Sequence, residues 1–228
     1  MKKKITVDIV SDVVCPWCYI GKRHLEKALD ELPELEVEVN WHPFQLDPTV
    51  PEEGVNKTEH YTNKFGSMDR FEMLSQRVLR AGENAGIAFD FDQIERVPNT
   101  LKLHNLLHEA QKEGRATELK GFLLSSYFEK GKDLSSVDVI VELMEEFGWN
   151  SLRTRETLEN KEISYWVKQE IRHYQNLGVS GVPFFIINQK YGLSGAQPSE
   201  VFVEALTEVS NKIKEEEADA CSIDNPNC

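Results

Sequence analysis

Two cysteines separated by two residues, Cys15-Pro16-Trp17-Cys18, are the residues of this chain best spaced to do chemistry. They stand where an alternating apolar segment (Ile5, Val7, Ile9) gives way to a helical pattern. The opening turn of a helix has N–H groups without intrahelical acceptors and a partial positive charge, and both favour a thiolate at the first cysteine. The thiolate is the form that attacks disulfides. Proline suits the position after Cys15, because the N–H it lacks would have had no helical partner there. Cys18 lies three residues on, on the same helix face. From there it can resolve a mixed disulfide by intramolecular attack. A redox device is therefore the first reading. Half of a zinc site is a second, but zinc calls for four ligands, and the other two cysteines, Cys221 and Cys228, lie at the far end of the chain. Two structural cysteines without chemistry are a third.

Histidine offers one further constellation. His104 and His108 are four apart, a spacing that suits a metal pair, but the chain reads His-Asn-Leu-Leu-His and lacks the glutamate of an HExxH site. No metal is expected. The remaining histidines, His24, His42, His60 and His173, suggest no function by position.

The elements that must position the thiols follow from periodicity. Residues 4–11 read as a strand that becomes buried, and 16–32 as a helix turning Ile20, Leu25, Ala28, Leu29 and Leu32 inward until Pro33 stops it. Leu35, Val37, Val39 and Trp41 then alternate with polar residues, the period of a half-exposed strand. Strand, helix and strand at this spacing make a βαβ unit with parallel strands. Residues 48–62 are polar and turn-rich and read as a surface loop. From about 66 to 178 the pattern is helical, with helices opening at Ser67, Asn99 or Thr100, near Leu119, at Ser135 or Ser136, and at about 161. Strand character returns in Pro183–Ile187 and Tyr191–Ser194, joined by Asn188-Gln189-Lys190, and a last amphipathic helix opens at Pro198 or Ser199. The order is βαβ, a helical block, then ββα. The expected division is 1–62, 63–178, 179–214 and a flexible cysteine-containing tail, 215–228.

Composition narrows the partners. The 228 residues carry a formal net charge of −13, which repels nucleic-acid phosphates and anionic membranes, so neither is expected. No apolar run approaches the roughly 18–20 residues of a membrane span. Met1-Lys2-Lys3-Lys4 looks like the start of a signal peptide, but Asp8, Ser11 and Asp12 interrupt the apolar stretch that would have to follow. Four cysteines are too few for a disulfide scaffold. Both observations suggest the cytoplasm. Asn56-Lys57-Thr58 matches a glycosylation sequon, which has no role without secretion.

This order, with CPWC at the first helix, resembles the thioredoxin fold with a large all-helical insertion, the arrangement of the DsbA-like family. Three stretches carry the resemblance: Ser11 to Gly21, Gly178 to Phe185, and Gly192 to Gln197. Together they are similar to the FrnE-like cytoplasmic branch, which is related to 2-hydroxychromene-2-carboxylate isomerases. The resemblance implies an α/β thioredoxin fold over residues 4–213, with Cys15 attacking and Cys18 resolving. It makes Pro183 a cis-proline beside the thiols, with Val182 before it; an ordinary strand-opening proline is the other reading. A cis X–Pro bond there would leave the Val182 backbone free to pair with an extended substrate. Pro98-Asn99-Thr100 and His104 resemble a segment that lines the cleft opposite the thiols in the wider family, so His104 joins Trp17, Val182 and Pro183 as a substrate-binding candidate. Structural and metal-binding histidines are its other readings. The branch often carries a C-terminal cysteine pair with four residues between; here six separate Cys221 and Cys228, which makes them an auxiliary redox pair, a metal anchor or an inert tail.

The implied activity is thiol–disulfide oxidoreduction on protein or small-molecule thiols and disulfides, with no tightly bound cofactor and with glutathione or a thioredoxin-type protein as redox co-substrate. Two alternatives stand beside it. One is a glutathione-dependent isomerase or transferase, whose relatives typically carry serine where this chain has Cys15. The other is a chaperone-like binder of unfolded chains. The direction of electron flow and the oligomeric state are left open by the residues.

Overall fold

A computed structural model describes residues 4–224, and side chains throughout except for Lys214 and 216–224. A four-stranded sheet organises it. Strand β1 (Ile5–Ser11) runs parallel to β2 (Val37–Pro43), with Val7 opposite Val39, and antiparallel to β5 (Phe184–Ile187), with Ile9 opposite Phe185. Strand β6 (Tyr191–Ser194) pairs antiparallel to β5, giving the order β2-β1-β5-β6. β1 is central: Ile5, Val7 and Ile9 alternate with the half-buried Thr6 and Asp8, and its last residues, Ile9 to Ser11, are all buried. On one face Ile5, Val7 and Ile9 pack with Phe185 and Ile187 against Leu25 and Ala28 of α1 (Pro16–Asp30) and Phe202 and Leu206 of α9 (Ser199–Asp224). On the other, Val10 meets Phe44, Tyr174 and Val179. α9 runs past the end near 214 that the sequence suggests.

The β5–β6 turn works without the glycine such turns favour. Asn188 and Gln189 both adopt positive φ, 49° and 57°, as the two central residues of a type I′ hairpin must. Asn188 compensates by exchanging bonds with β1: its N–H donates to the Thr6 carbonyl and its Oδ1 accepts from the Thr6 N–H, each at 2.9 Å.

Between the two parts of this fold lies the helical block: α2 (Lys57–Phe65), α3 (Met68–Asn84), α4 (Leu101–Lys112), α5 (Ala116–Phe128), α6 (Val137–Phe147), α7 (Ser151–Glu159) and α8 (Lys161–Asn176). Its core is built on Leu103, Leu106, Leu119, Leu123 and Leu124, all fully buried, each contributing about 2 kcal/mol of transfer free energy. Tyr19 and Ile20 of α1 belong to this core too, so α1 lies between two apolar interiors. Ser67 and Ser136 cap α3 and α6 as their positions suggest, accepting from Arg70 N and Val139 N.

Two readings need correction. The loop expected over 48–62 contains a short strand β3 (Val55–Asn56), paired with β4 (Arg96–Val97), and the start of α2. Asn56 caps that helix through Glu59 N, and Gly66 closes it in the left-handed region, but α2 buries none of its residues and so shows no apolar period. α7 is a second unexpected helix. Asn160 both ends it and caps α8, leaving no loop between them.

Candidate active site

Chain direction and steric limits bring the thiols to the top of the sheet. β1 delivers the chain at Ser11, and Cys15 becomes the N-cap of α1 in an extended conformation (φ −100°, ψ 110°), with Pro16 in the first turn. Its carbonyl accepts from Cys18 N at 3.0 Å. Both cysteines are free thiols, 3% and 1% exposed. Cys15 Sγ donates to the Val182 carbonyl at 3.5 Å, so the loop before β5 closes over the first sulfur. The Val182–Pro183 peptide bond is cis, and Pro183 is buried.

Beneath the sulfurs lies a charged layer. Asp12, fully buried, accepts from Val13 N on Oδ1 and from Leu46 N on Oδ2, each at 2.8 Å. His104 of α4 places Nε2 at 2.9 Å from the Phe44 carbonyl and 3.3 Å from Asp12 Oδ1. A carbonyl can only accept, so Nε2 carries the proton. Burial pushes the Asp12 carboxyl upward, but the His104 hydrogen bond and charge, the Leu46 N–H and the Lys120 ammonium together hold it below the ordinary carboxylate range. Lys120 of α5 is 1% exposed, and burial pulls its pKa down against the attraction of Cys18 and Asp12.

The contact between the sulfurs and this layer both act on how the pair ionises. Burial raises the Cys18 pKa, but the Cys15 hydrogen bond, Lys120 and the Ser11 hydroxyl outweigh it and leave Cys18 below the usual thiol value. For Cys15 the hydrogen bond to Cys18, burial and the Cys18 charge all push upward, well above that value. The two titrate as a pair. The sequence suggests that the helix N-terminus makes Cys15 the more acidic; in this reduced state Cys18 is the sulfur that is lowered, first by the Cys15 hydrogen bond and then by Lys120.

Above the sulfurs the material is aromatic. Trp17 is half-buried against the helical core, with the Arg77 guanidinium 5.9 Å from its ring. Tyr61 of α2 stacks on Phe71 of α3 at 4.3 Å, and Phe71, Phe91, Phe89 and Phe128 continue the cluster edge to face and stacked. Burial and the nearby Cys15 raise the Tyr61 hydroxyl to about 12.

The structure thus gathers Cys15, Cys18, Trp17, Val182 and Pro183. It places His104 one residue further away, buried behind Asp12, where it lines a cavity together with Lys120. The Cys221 side chain and all of Cys228 lie outside the described residues. Among the described residues, no group of three or more His, Cys, Asp or Glu could hold a metal ion, and no helix is long and apolar enough to cross a membrane. Sequence reasoning missed Asp12, Lys120 and Tyr61. A lysine set among Leu119, Phe122, Leu123 and Leu124 of α5 was the available signal for Lys120.

Comparison with known proteins agrees with this geometry. Residues 6–207 match the DSBA-like thioredoxin domain, and the chain belongs to that family. A probable DsbA oxidoreductase from Streptomyces coelicolor superposes with a TM-score of 0.81 at 32% identity, covering 90% of this chain and 89% of its own. The Bacillus subtilis protein YwbO is 24% identical over 209 residues, 91% of this chain and 98% of that one. Two more distant structures share the fold: 2-hydroxychromene-2-carboxylate isomerase (TM-score 0.68, 13% identity, 94% and 98% covered) and the cytosolic disulfide reductase DsbM from Pseudomonas aeruginosa with GSH (0.62, 17%, 89% and 99%).

Proposed function

We propose that this member of the DsbA-like thioredoxin family is a protein thiol–disulfide oxidoreductase working through Cys15 and Cys18. The observation that carries the reading is the pair itself: two buried free cysteines that interact with each other at the start of α1, with Lys120 and Asp12 nearby and the Val182 carbonyl against Cys15. Once the pair has lost one proton, moving the remaining one from Cys15 to Cys18 makes Cys15 the nucleophile without creating a new charge. The Cys15 thiolate attacks one sulfur of a substrate disulfide; that bond breaks and the other sulfur leaves as a thiolate. Cys18, giving up its proton, attacks Cys15 Sγ, releases the second substrate sulfur and closes the Cys15–Cys18 disulfide. Two electrons pass to the substrate, and the reverse sequence oxidises a dithiol. The backbone of Val182 lies where an extended substrate could pair beside the sulfur, and Trp17 offers it an apolar face. We place the activity in the cytoplasm with glutathione or a thioredoxin-type protein as co-substrate, on the strength of a cysteine-poor chain and of the DsbM neighbour described as cytosolic and bound to GSH.

The test is equilibration in glutathione buffers, in a variant lacking Cys221 and Cys228, with tryptophan fluorescence as the probe. A two-electron transition is expected, lost in Cys15→Ser, with mixed disulfide accumulating in Cys18→Ser. If Cys15 is glutathionylated and no intramolecular disulfide forms, the dithiol mechanism is wrong. The glutathione-dependent isomerase reading, supported by the isomerase among the structures sharing the fold, then takes its place.

A further inference from the structure

Lys120 has a second neighbour. Its side chain lines a cavity of about 250 Å³ between β2, α4, α5 and α8, to which Cys15 and Cys18 do not contribute. Among the described residues Lys120 Nζ makes no hydrogen bond and no ion pair. Its one ring contact is with Trp41, 5.5 Å away. A buried ammonium without an anion at contact is costly, and chains retain one where something compensates it. Asp12 is too far to pair with it and is already occupied by His104 and two backbone N–H groups.

The rest of the lining defines what would fit. Trp41, Leu107 and Val167 make the walls apolar, and the exposed Lys112 stands at the rim. The cavity's one carboxylate, Glu170, is bonded to His42 at 2.6 Å, and His42 is raised to about 8 by Asp8 and Glu170 despite its burial. Lys112 is paired with Glu109 at 2.6 Å and His42 with Glu170 and Asp8, so Lys120 is the one cation of the lining that no carboxylate contacts. A single unpaired cation among apolar walls selects a monoanion with an apolar body rather than a phosphate or sulfate, whose hydration these walls could not replace. The volume admits a molecule about the size of benzene or somewhat larger.

We propose that this cavity binds a small carboxylate with a short apolar body, its head on Lys120 Nζ and its body against Trp41, Leu107 and Val167. Because the same ammonium faces Cys18, occupancy would loosen its hold on the thiol pair and couple ligand to redox state.

The experiment is calorimetric titration of the reduced protein with butyrate and benzoate, against butanol and benzyl alcohol as neutral analogues. Saturable binding of a carboxylate is expected, with the matching alcohol weaker by roughly tenfold or more. Lys120→Met should lose a similar factor. Lys112→Glu, at an exposed rim position that leaves the core intact, should weaken binding several-fold, and it keeps the test open if Lys120→Met does not fold. Binding should persist in the Cys15→Ser/Cys18→Ser variant, which separates this site from the proposed exchange reaction. No saturable binding, equal binding of the alcohol, binding unchanged by the lysine variants, or binding that needs the thiols would each overturn the proposal.

Discussion

The two sides of the thiol pair are built from different materials. The layer beneath is polar, fully buried and fixed: Asp12 and His104 are tied to three backbone groups and to each other. The cover above is aromatic and held lightly. Tyr61 rides on α2, which buries no residue, and α3 buries only Ser75, Val78 and Gly82. The difference assigns separate duties. The floor sets how the two sulfurs share their proton, while the cover sets how easily anything reaches Cys15. Segments with few buried contacts open at low cost, and segments with many do not.

Asp12→Ala should break the comparison most severely. It strips His104 of its carboxylate and leaves two N–H groups without an acceptor, a loss of about 3–5 kcal/mol readable by urea denaturation. A loss under about 1 kcal/mol would mean that the floor is not the fixed side.

A smaller effect comes from His42, where β2 meets α8. Its imidazole bonds Glu170 at 2.6 Å and Asp8 at 3.1 Å and is raised to about 8. A histidine whose folded pKa exceeds its unfolded one stabilises fully below the unfolded value, near 6.5, and loses that contribution as pH rises through about 8. Stability should therefore fall by on the order of 2 kcal/mol between about pH 6 and 9. In His42→Gln that part of the slope should vanish; an unchanged slope would refute the assignment.

Tyr61→Ala sharpens the comparison from the other side. It should cost only about 1 kcal/mol yet speed alkylation of Cys15 several-fold at fixed pH, with the pKa of the pair nearly unmoved. If the pKa shifts while the rate does not, cover and floor have been given each other's roles.

How much of this was legible depends on where each signal resides. β1, α1 and β2 announce themselves through local period and a proline stop, and Ser67, Ser136 and Gly148 mark helix ends by their own chemistry. Cys15 and Cys18 are legible for the same reason: two residues of one element carry the whole motif. Asp12 and Lys120 are not, because their meaning depends on 107 intervening positions being folded back until α5 packs on α1. Taken alone, Lys120 in Leu-Lys-Gly-Phe looks like a solvated charge. Tyr61 was lost with α2, a helix held by an asparagine cap and a glycine rather than by an apolar face.

The pairing of β1 with β5, Val7 opposite Ile187, has a consequence for how the chain assembles. In an unstructured chain the entropy of closing so long a loop would have to be met before the sheet gains anything. Here the intervening residues form helices that pack on one another, α2 on α3, α4 on α5, α7 and α8, and α6 on α7. Each of these contacts closes a shorter loop than the β1–β5 pairing does, and so costs less entropy. Once they form, the insertion is a folded spacer that presents its two ends to the same sheet, and a slow long-range search becomes the docking of one short strand.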